Sequence, residues 1–218
     1  MKISFRIKER LLLYLSLTLM LIMSGCKQKT EIDQSFTSDL PCKAPCWNGL
    51  KLDVSSRSDV LTTIKQLSFV DKNSIHEYGT RWYADDHAIV IYFNCIDSRE
   101  NCGSLLLSED RLKQIWIAIK YPLTLKQAVD KLGQPEDIQY GVCQPGYCRL
   151  SLDWPNQRIF IESSLKNSNL CNEIRAGQTN LPPEIQVTDI FYMVVEEVPK
   201  SDAGSCLQLM PWPGFREP

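Results

Sequence analysis

The sequence has few of the residues, and none of the short motifs, on which many enzyme active sites depend. Only two histidines occur, His76 and His87, and neither stands in a His-x-x-x-His or Cys-x-x-Cys spacing, which argues against a zinc hydrolase. The chain also lacks the Gly-x-Ser-x-Gly, Gly-x-x-x-x-Gly-Lys and Gly-x-Gly-x-x-Gly patterns of hydrolases, phosphate-binding loops and dinucleotide-binding folds. We therefore predict no catalytic residues, no metal site and no cofactor.

Long runs of one kind of side chain are equally scarce. No run of Lys and Arg occurs that could neutralise nucleic-acid phosphates, so we expect no nucleic-acid partner. Beyond the first 25 residues, no apolar run approaches the ~20 residues of a membrane-spanning helix. Any membrane attachment would therefore have to come from the N-terminus.

The N-terminus has the composition of a signal peptide. Four basic residues near the start are followed by an apolar stretch of 13 residues, 11–23, which suits the apolar region of a signal peptide better than a membrane-spanning helix. The sequence Leu21-Ile22-Met23-Ser24-Gly25-Cys26 resembles a bacterial lipobox. The resemblance implies cleavage after residue 25 and a diacylglycerol on the Cys26 thiol. An ordinary signal peptide or an amphipathic first helix is the alternative.

A lipid on Cys26 would determine where the protein works. One diacylglycerol supplies two acyl chains, which suffice for stable membrane attachment. Removing residues 1–25 takes away four of the 24 basic and one of the 26 acidic residues, which leaves 193 residues with a formal charge of −5. We expect a cell-envelope protein, lipid-anchored to the outer face of the cell membrane or to the outer membrane.

Eight of the nine cysteines remain when Cys26 is assigned to the lipid, and an even number in an exported chain indicates disulfide bonds. The number of cysteines allows many connectivities, and we favour pairing between sequence neighbours. Pro145-Gly146 is a turn signal, which favours the pair that flanks it. The suggested pairs are Cys42 with Cys46, Cys95 with Cys102, Cys143 with Cys148, and Cys171 with Cys206.

After a polar segment, 26–40, that predicts a flexible tether, the same order of elements occurs twice. Ser56 with Asp59, and Thr124 with Gln127, are helix-capping patterns, each followed by apolar residues at helical spacing. Strands are predicted at 74–83, 87–94, 103–107 and 111–121 after the first helix, and at 137–142, 147–154, 158–163 and 185–196 after the second. Residues 164–184 read as a long loop.

The repeated order predicts an α+β fold of two tandem helix-plus-antiparallel-strand units that share or pack their sheets and are stapled by disulfides. The units would be 41–122 and 123–200, because one unit alone would bury too little apolar surface. Residues 201–218 would form a Pro-rich tail without regular structure.

The second helix carries a family resemblance. The segment Thr124-Leu-Lys-Gln-Ala-Val-Asp-Lys-Leu-Gly-Gln-Pro135 resembles the short helix ending in Leu-Gly-x-Pro of small bacterial outer-membrane lipoproteins of the SmpA/OmlA type. Those proteins share an architecture with β-lactamase-inhibitor-protein-like repeats, in which helical segments lead into an antiparallel sheet. Pro45-Cys46-Trp47-Asn48-Gly49 before a Ser-capped helix is similar to a class of uncharacterised bacterial lipoproteins. The members of these families bind other proteins or have no assigned role, and the resemblance implies the same for this chain.

The segment Cys42-Lys-Ala-Pro-Cys46 has two interpretations. Thiolates at this spacing could bind Cu(I) or exchange disulfides. Copper-delivery domains with such a motif also need a further His or Met ligand and a preceding strand, whereas this segment follows the tether. We favour a structural disulfide and keep a redox or copper site as the alternative.

Aromatic residues on the predicted strands offer a binding surface. A sheet face rich in aromatic residues can bind a partner strand, a peptide or a sugar, although such residues more commonly form the core. The residues are Trp82, Tyr83, Tyr92, Phe93, Trp116, Tyr121, Trp154, Phe160, Phe191 and Tyr192. Trp212 and Phe215 in the tail are harder to assign to the core.

The sequence as a whole predicts a non-enzymatic, lipid-anchored envelope protein with a binding or structural role, through interaction with another envelope protein. The alternative is a thiol-redox or copper-handling envelope factor that uses Cys42 and Cys46. A carbohydrate-processing enzyme with carboxylates dispersed along the sequence is a third class.

Overall fold

A computed structural model describes residues 35–38, 41–43, 45–80, 88–96, 101–144, 147–165, 168–176, 180–194 and 208–215. The helices are α1 (Ser35–Ser38), α2 (Arg57–Gln66), α3 (Leu125–Leu132) and α4 (Ser168–Arg175), with a short 3-10 helix at Pro155–Gln157. The strands are β1 (Cys46–Trp47), β2 (Leu50–Lys51), β3 (Val70–Thr80), β4 (Ala88–Cys95), β5 (Asn101–Ser108), β6 (Arg111–Ala118), β7 (Asp137–Gln144), β8 (Tyr147–Trp154), β9 (Ile159–Leu165), β10 (Asp189–Met193) and β11 (Gln208–Pro211).

Nine of these strands form one antiparallel sheet in the order β11-β7-β8-β9-β10-β6-β5-β4-β3. Strand β10 lies between β9 and β6 and pairs with both, with Ile190 opposite Ile161 on one side and Ile117 on the other. Strands β1 and β2 form a separate two-stranded ribbon. Strand β10 therefore joins the run β3–β6 to the run β7–β9 in one continuous sheet.

The predicted α+β class, with two tandem helix-plus-strand units, is wrong. The structure is mostly β, and the nine-stranded antiparallel sheet dominates it. The sequence pattern identified strands but not their long-range partners, because the pairing of β10 with both β6 and β9 leaves no local signal. The predicted loop 164–184 also contains α4.

Local signals for the two main helices form as the sequence indicates. The Ser56 hydroxyl accepts a hydrogen bond from the Asp59 amide, and the Asp59 carboxylate accepts one from the Ser56 amide. Thr124 and Gln127 make the same reciprocal pair at α3. Both contacts satisfy amides that have no partner within the helix. Gly133, at φ +87°, ends α3 in a backbone conformation that favours glycine.

The apolar core lies on one face of the sheet, the core face. Ile138, Leu152, Ile161, Ile190 and Ile117 occupy directly opposed positions on successive strands, and each is at most 3% exposed. Helix α2 adds Val60 and Ile64, and helix α3 adds Leu125, Ala128, Val129 and Leu132. The two helices therefore cover the same face of the sheet.

Hydrogen bonds and ion pairs hold the helices to the core face. The Trp154 indole donates to the Gly133 carbonyl at the end of α3, with a distance of 2.9 Å. Arg57, the first residue of α2, pairs with Glu77, the cross-strand neighbour of the core residue Ile91. These contacts place both helices opposite the surface on which the candidate site lies.

Parts of the predicted tether, 26–40, and of the predicted tail, 201–218, pack against the rest of the protein. Phe36 of α1 is 4% exposed in the core, and the Lys131 ammonium lies 5.7 Å from its ring centroid. The predicted tether, 26–40, therefore packs against the body at Phe36. In the predicted tail, β11 adds a strand beside β7, and the rings of Trp212 and Phe215 pack edge to face, 5.2 Å apart.

Candidate binding face

The cysteines that the structure describes form disulfides. Cys42 bonds to Cys46, and Cys95 bonds to Cys102, with Cα–Cα distances of 5.7 Å and 5.4 Å. These are two of the pairs that sequence order suggests. Cys148 is also disulfide-bonded. Cys26 and Cys206 lie outside the described residues, as do the side chains of Cys143 and Cys171.

The Cys42–Cys46 disulfide supports the ribbon that carries a core residue. The Gly49 amide donates a hydrogen bond to the Cys42 sulfur at 3.3 Å, and Cys46 is only 8% exposed. Trp47 follows directly, is fully buried and stacks on Phe93 with ring centroids 6.2 Å apart. Within the described residues, no group of three or more His, Cys, Asp or Glu side chains is arranged to hold a metal ion.

Of the two histidines, the structure describes His76. His76 is exposed on β3, with its ring 6.4 Å from that of Tyr78. His87 lies outside the described residues. His76 is the cross-strand neighbour of Tyr92, so it borders the aromatic surface.

The face of the sheet opposite the core, the open face, carries a continuous line of directly opposed residues. The line crosses seven neighbouring strands in the order β4-β5-β6-β10-β9-β8-β7. We call it the cross-strand row. Its four aromatic members are all half-buried. The row consists of Tyr92, Ser104, Trp116, Phe191, Phe160, Asp153 and Asp137.

Contacts among the aromatic rings hold this surface in place. Phe160 and Phe191 pack edge to face with centroids 5.6 Å apart, and Tyr92 packs in the same way against Tyr78 at 5.8 Å. The Trp116 indole N–H donates to the Asp189 carboxylate at 2.8 Å. Tyr78 at the edge is 58% exposed. The rings therefore form a fixed, partly solvated apolar surface.

The structure divides the aromatic residues of the sequence between the two faces. Tyr92, Trp116, Phe160 and Phe191 lie on the open face. Phe93, Trp154 and Tyr192 are buried in the core, and Tyr121 packs against it. Trp82 and Tyr83 lie outside the described residues.

One end of the open face contains a cavity of about 260 Å³. Apolar side chains form part of its wall, and hydroxyl and amide groups form the rest. Among the residues that the structure describes, no charged side chain lines it. The lining residues are Thr80, Val90, Tyr92, Ser104, Leu106, Gln114 and Met193.

The other end of the open face is acidic. Asp153 faces Asp137 directly across β8 and β7. Burial, followed by repulsion from Glu136 and Asp137, raises the pKa of Asp153 to about 6, although the Trp154 amide partly opposes the shift. Like charges held this close favour the protonated form of one of them.

A second pair of opposed carboxylates, Glu162 and Asp189, lies beside the row. Glu162 is 6% exposed, and burial raises its pKa, while the ion pair with Arg149 opposes the shift. Arg149 pairs with Glu162. Among the described residues at the β7–β10 end of the open face, four carboxylates accompany this one guanidinium, so negative charge exceeds positive charge there.

The sequence identified the aromatic residues of this site but not the site itself. Strand β4 reads as an unbroken apolar run, so its alternation between Phe93 in the core and Tyr92 on the open face is hidden. The acidic end was missed because its carboxylates come from strands far apart in the sequence. Comparison of the chain with protein-family models, curated proteins and solved structures finds no match.

Proposed function

We propose that this chain is a lipid-anchored cell-envelope protein that binds another envelope protein through its open face and catalyses no reaction. The observation that carries this proposal is the row of half-buried aromatic residues opposite the core. The lipobox-like segment ending at Cys26 supports the anchor and the location. No described helix is long and apolar enough to cross a membrane.

The composition of the open face supports a binding role. An antiparallel sheet with one face on the core and the other in water normally shows polar residues on the water side. Here Trp116, Phe191 and Phe160 occupy three neighbouring strands on that side. Tyr, Trp and Phe are enriched at protein–protein interfaces, where they fill pockets and exclude water.

The polar residues of this face also suit an interface. The Trp116 indole keeps a hydrogen-bond partner in Asp189, so a partner protein can cover the ring without stranding its N–H. Glu162 is neutralised in part by Arg149. Polar groups around an apolar centre are the usual arrangement of a protein interface.

Site-specific crosslinking in native cells tests the proposal. A photo-reactive amino acid in place of Tyr78, an exposed aromatic residue that packs against Tyr92 outside the cavity, should form an adduct with a defined envelope protein. The same group at Thr62, an exposed position on α2, serves as the matched control and should not form that adduct. The absence of an adduct from position 78, or the same adduct from both positions, would contradict binding through the open face.

The anchor needs its own test, because an unanchored protein could also bind a partner. Mass spectrometry of the mature N-terminus should show residues 1–25 removed and two ester-linked acyl chains on Cys26. A Cys26→Ala variant should leave the membrane fraction. An intact, unacylated N-terminus would refute the anchor and leave the binding face to be judged by the crosslinking result.

A further inference from the structure

We propose that the partner presents a basic segment whose uncharged apolar side chain fills the cavity near Ser104 and whose Lys or Arg lies against Asp153 and Asp137. This inference rests on the proposed function and specifies the chemistry of the partner. It depends on three features of the open face: the cavity, the aromatic surface beside it, and the acidic end.

The cavity selects an uncharged side chain. Its volume of about 260 Å³ is below the ~300–1,000 Å³ of pockets for drug-sized ligands, and it suits a single large side chain. Val90, Leu106 and Met193 supply apolar wall, and Ser104 and Gln114 supply neutral polar groups. A charged group placed there would lose hydration without gaining an opposite charge from the described lining residues.

The acidic end selects a cation. Asp153 and Asp137 oppose one another across two strands, and Glu136 adds a third carboxylate to the same local field. A Lys or Arg from a partner would relieve the repulsion among these groups and favour the ionised form of Asp153. An acidic segment would increase that repulsion, so electrostatic complementarity favours a basic occupant.

The distance between the two ends fixes the spacing in the partner. Ser104 and Asp153 are separated by four strand-to-strand steps, through Trp116, Phe191 and Phe160. At ~4.8 Å a step the separation is about 19 Å, which an extended chain spans in about six residues. The aromatic rings between the ends offer apolar contact to the intervening side chains, and their faces attract cations.

Selection from a random peptide library tests this chemistry with a defined probe. Twelve-residue peptides displayed on phage would be selected on the immobilised, folded mature protein. Enriched peptides should combine an aromatic or large aliphatic residue with a Lys or Arg about six residues away if the chain is extended. A selection without enrichment, or one that enriches acidic or uncharged peptides, would overturn the inference.

Variants at each end locate the binding. Ser104→Phe fills the cavity and should lower the affinity for an enriched peptide at least 10-fold. Ser164→Phe places the same side chain at an exposed position on the same face and should leave the affinity unchanged. The double substitution Asp137→Asn with Asp153→Asn should lower this affinity about 3- to 10-fold, whereas Asp110→Asn in the β5–β6 turn should leave it unchanged. Equal affinity for all four variants would overturn the inference. Ser104→Leu replaces Ser104→Phe if the larger side chain lowers the melting temperature.

Crosslinking to the native partner distinguishes failure of this inference from failure of the proposed function on which it rests. If the adduct from position 78 forms equally well in the protein that carries Asp137→Asn and Asp153→Asn, the basic-partner inference fails while binding through the open face stands. If no adduct forms from position 78 in the protein with both aspartates intact, the proposed function itself fails. An adduct that weakens only when the aspartates are neutralised supports both.

Discussion

Replacing Gly103 with alanine should destabilise the sheet at the point where β4, β5 and β6 meet. A Cβ at this position would lie 2.4 Å from the Phe93 ring and 2.9 Å from the Trp116 carbonyl oxygen. Phe93 has no room to move away, because it is fully buried and stacks on Trp47. The carbonyl belongs to the backbone of β6, so relief requires the strands to separate.

Overpacking of this kind typically costs 1–3 kcal/mol, and we expect about 2–3 kcal/mol because both neighbours are fixed. Urea unfolding followed by tryptophan fluorescence measures the change. Gly79→Ala is the matched control, since a Cβ on this β3 residue meets nothing within 4 Å. It should be neutral or stabilising by a few tenths of a kcal/mol, because alanine is better suited to a strand than glycine.

A second substitution shows whether the Phe93 ring is the cause. In a Phe93→Leu background the cost of Gly103→Ala should fall by at least about 1 kcal/mol, since the two residues are in contact and their effects should not be additive. Unfolding of Gly103→Ala and Gly79→Ala at the same urea concentration would refute the reasoning.

Three further predictions concern the acidic end, a helix cap and a disulfide. The raised pKa of Asp153, about 6 against an ordinary 3.8, means that the folded state keeps a proton that the unfolded state releases, so stability falls as the pH rises from about 4 to 6. Asp153→Asn should therefore raise the free energy of unfolding in urea by about 1–2 kcal/mol at pH 7.5, after allowance for solvent screening. Below pH 4 it should change that free energy very little. Equal stabilisation at both pH values would contradict an origin in the Asp153 charge. Ser56→Ala should cost about 1 kcal/mol in thermal unfolding by removing the cap of α2, whereas Thr62→Ala on the exposed side of the same helix should cost far less. Replacing Cys42 and Cys46 with serine should lower the free energy of unfolding by about 2 kcal/mol, as expected for a short closed loop. Thiol counting on the folded wild-type protein should find neither cysteine reactive. Two reactive thiols would favour the redox or copper alternative.

The sequence predicted local structure well where the signal was confined to neighbouring residues. The capping pairs Ser56 with Asp59 and Thr124 with Gln127 mark the starts of α2 and α3, because a cap involves residues only three apart. Segments rich in apolar residues likewise placed most strands within a few residues of their observed bounds. The α4 helix was missed because the polar composition of 164–184 resembles that of a loop.

The candidate site was only partly predictable for the same reason. The sequence singled out Tyr92, Trp116, Phe160 and Phe191, but their arrangement in one row depends on the register of β4, β5, β6, β10 and β9. A shift of one residue in β4, β6, β9 or β10 would move the aromatic residue of that strand to the core face. The acidic end depends in the same way on the register of β7 with β8.

By itself the sequence determined the starts of α2 and α3, most strand-forming segments and the aromatic residues of the site, because caps and apolar runs involve only neighbouring positions. The tertiary structure decided that β10 joins two runs of strands into one sheet and that Trp116, Phe191 and Phe160 line up on its open face. Long-range strand pairing is the reason. Burial of Ile190 between Ile161 and Ile117 fixes the register of β10, and Phe191, the next residue, therefore points away from the core.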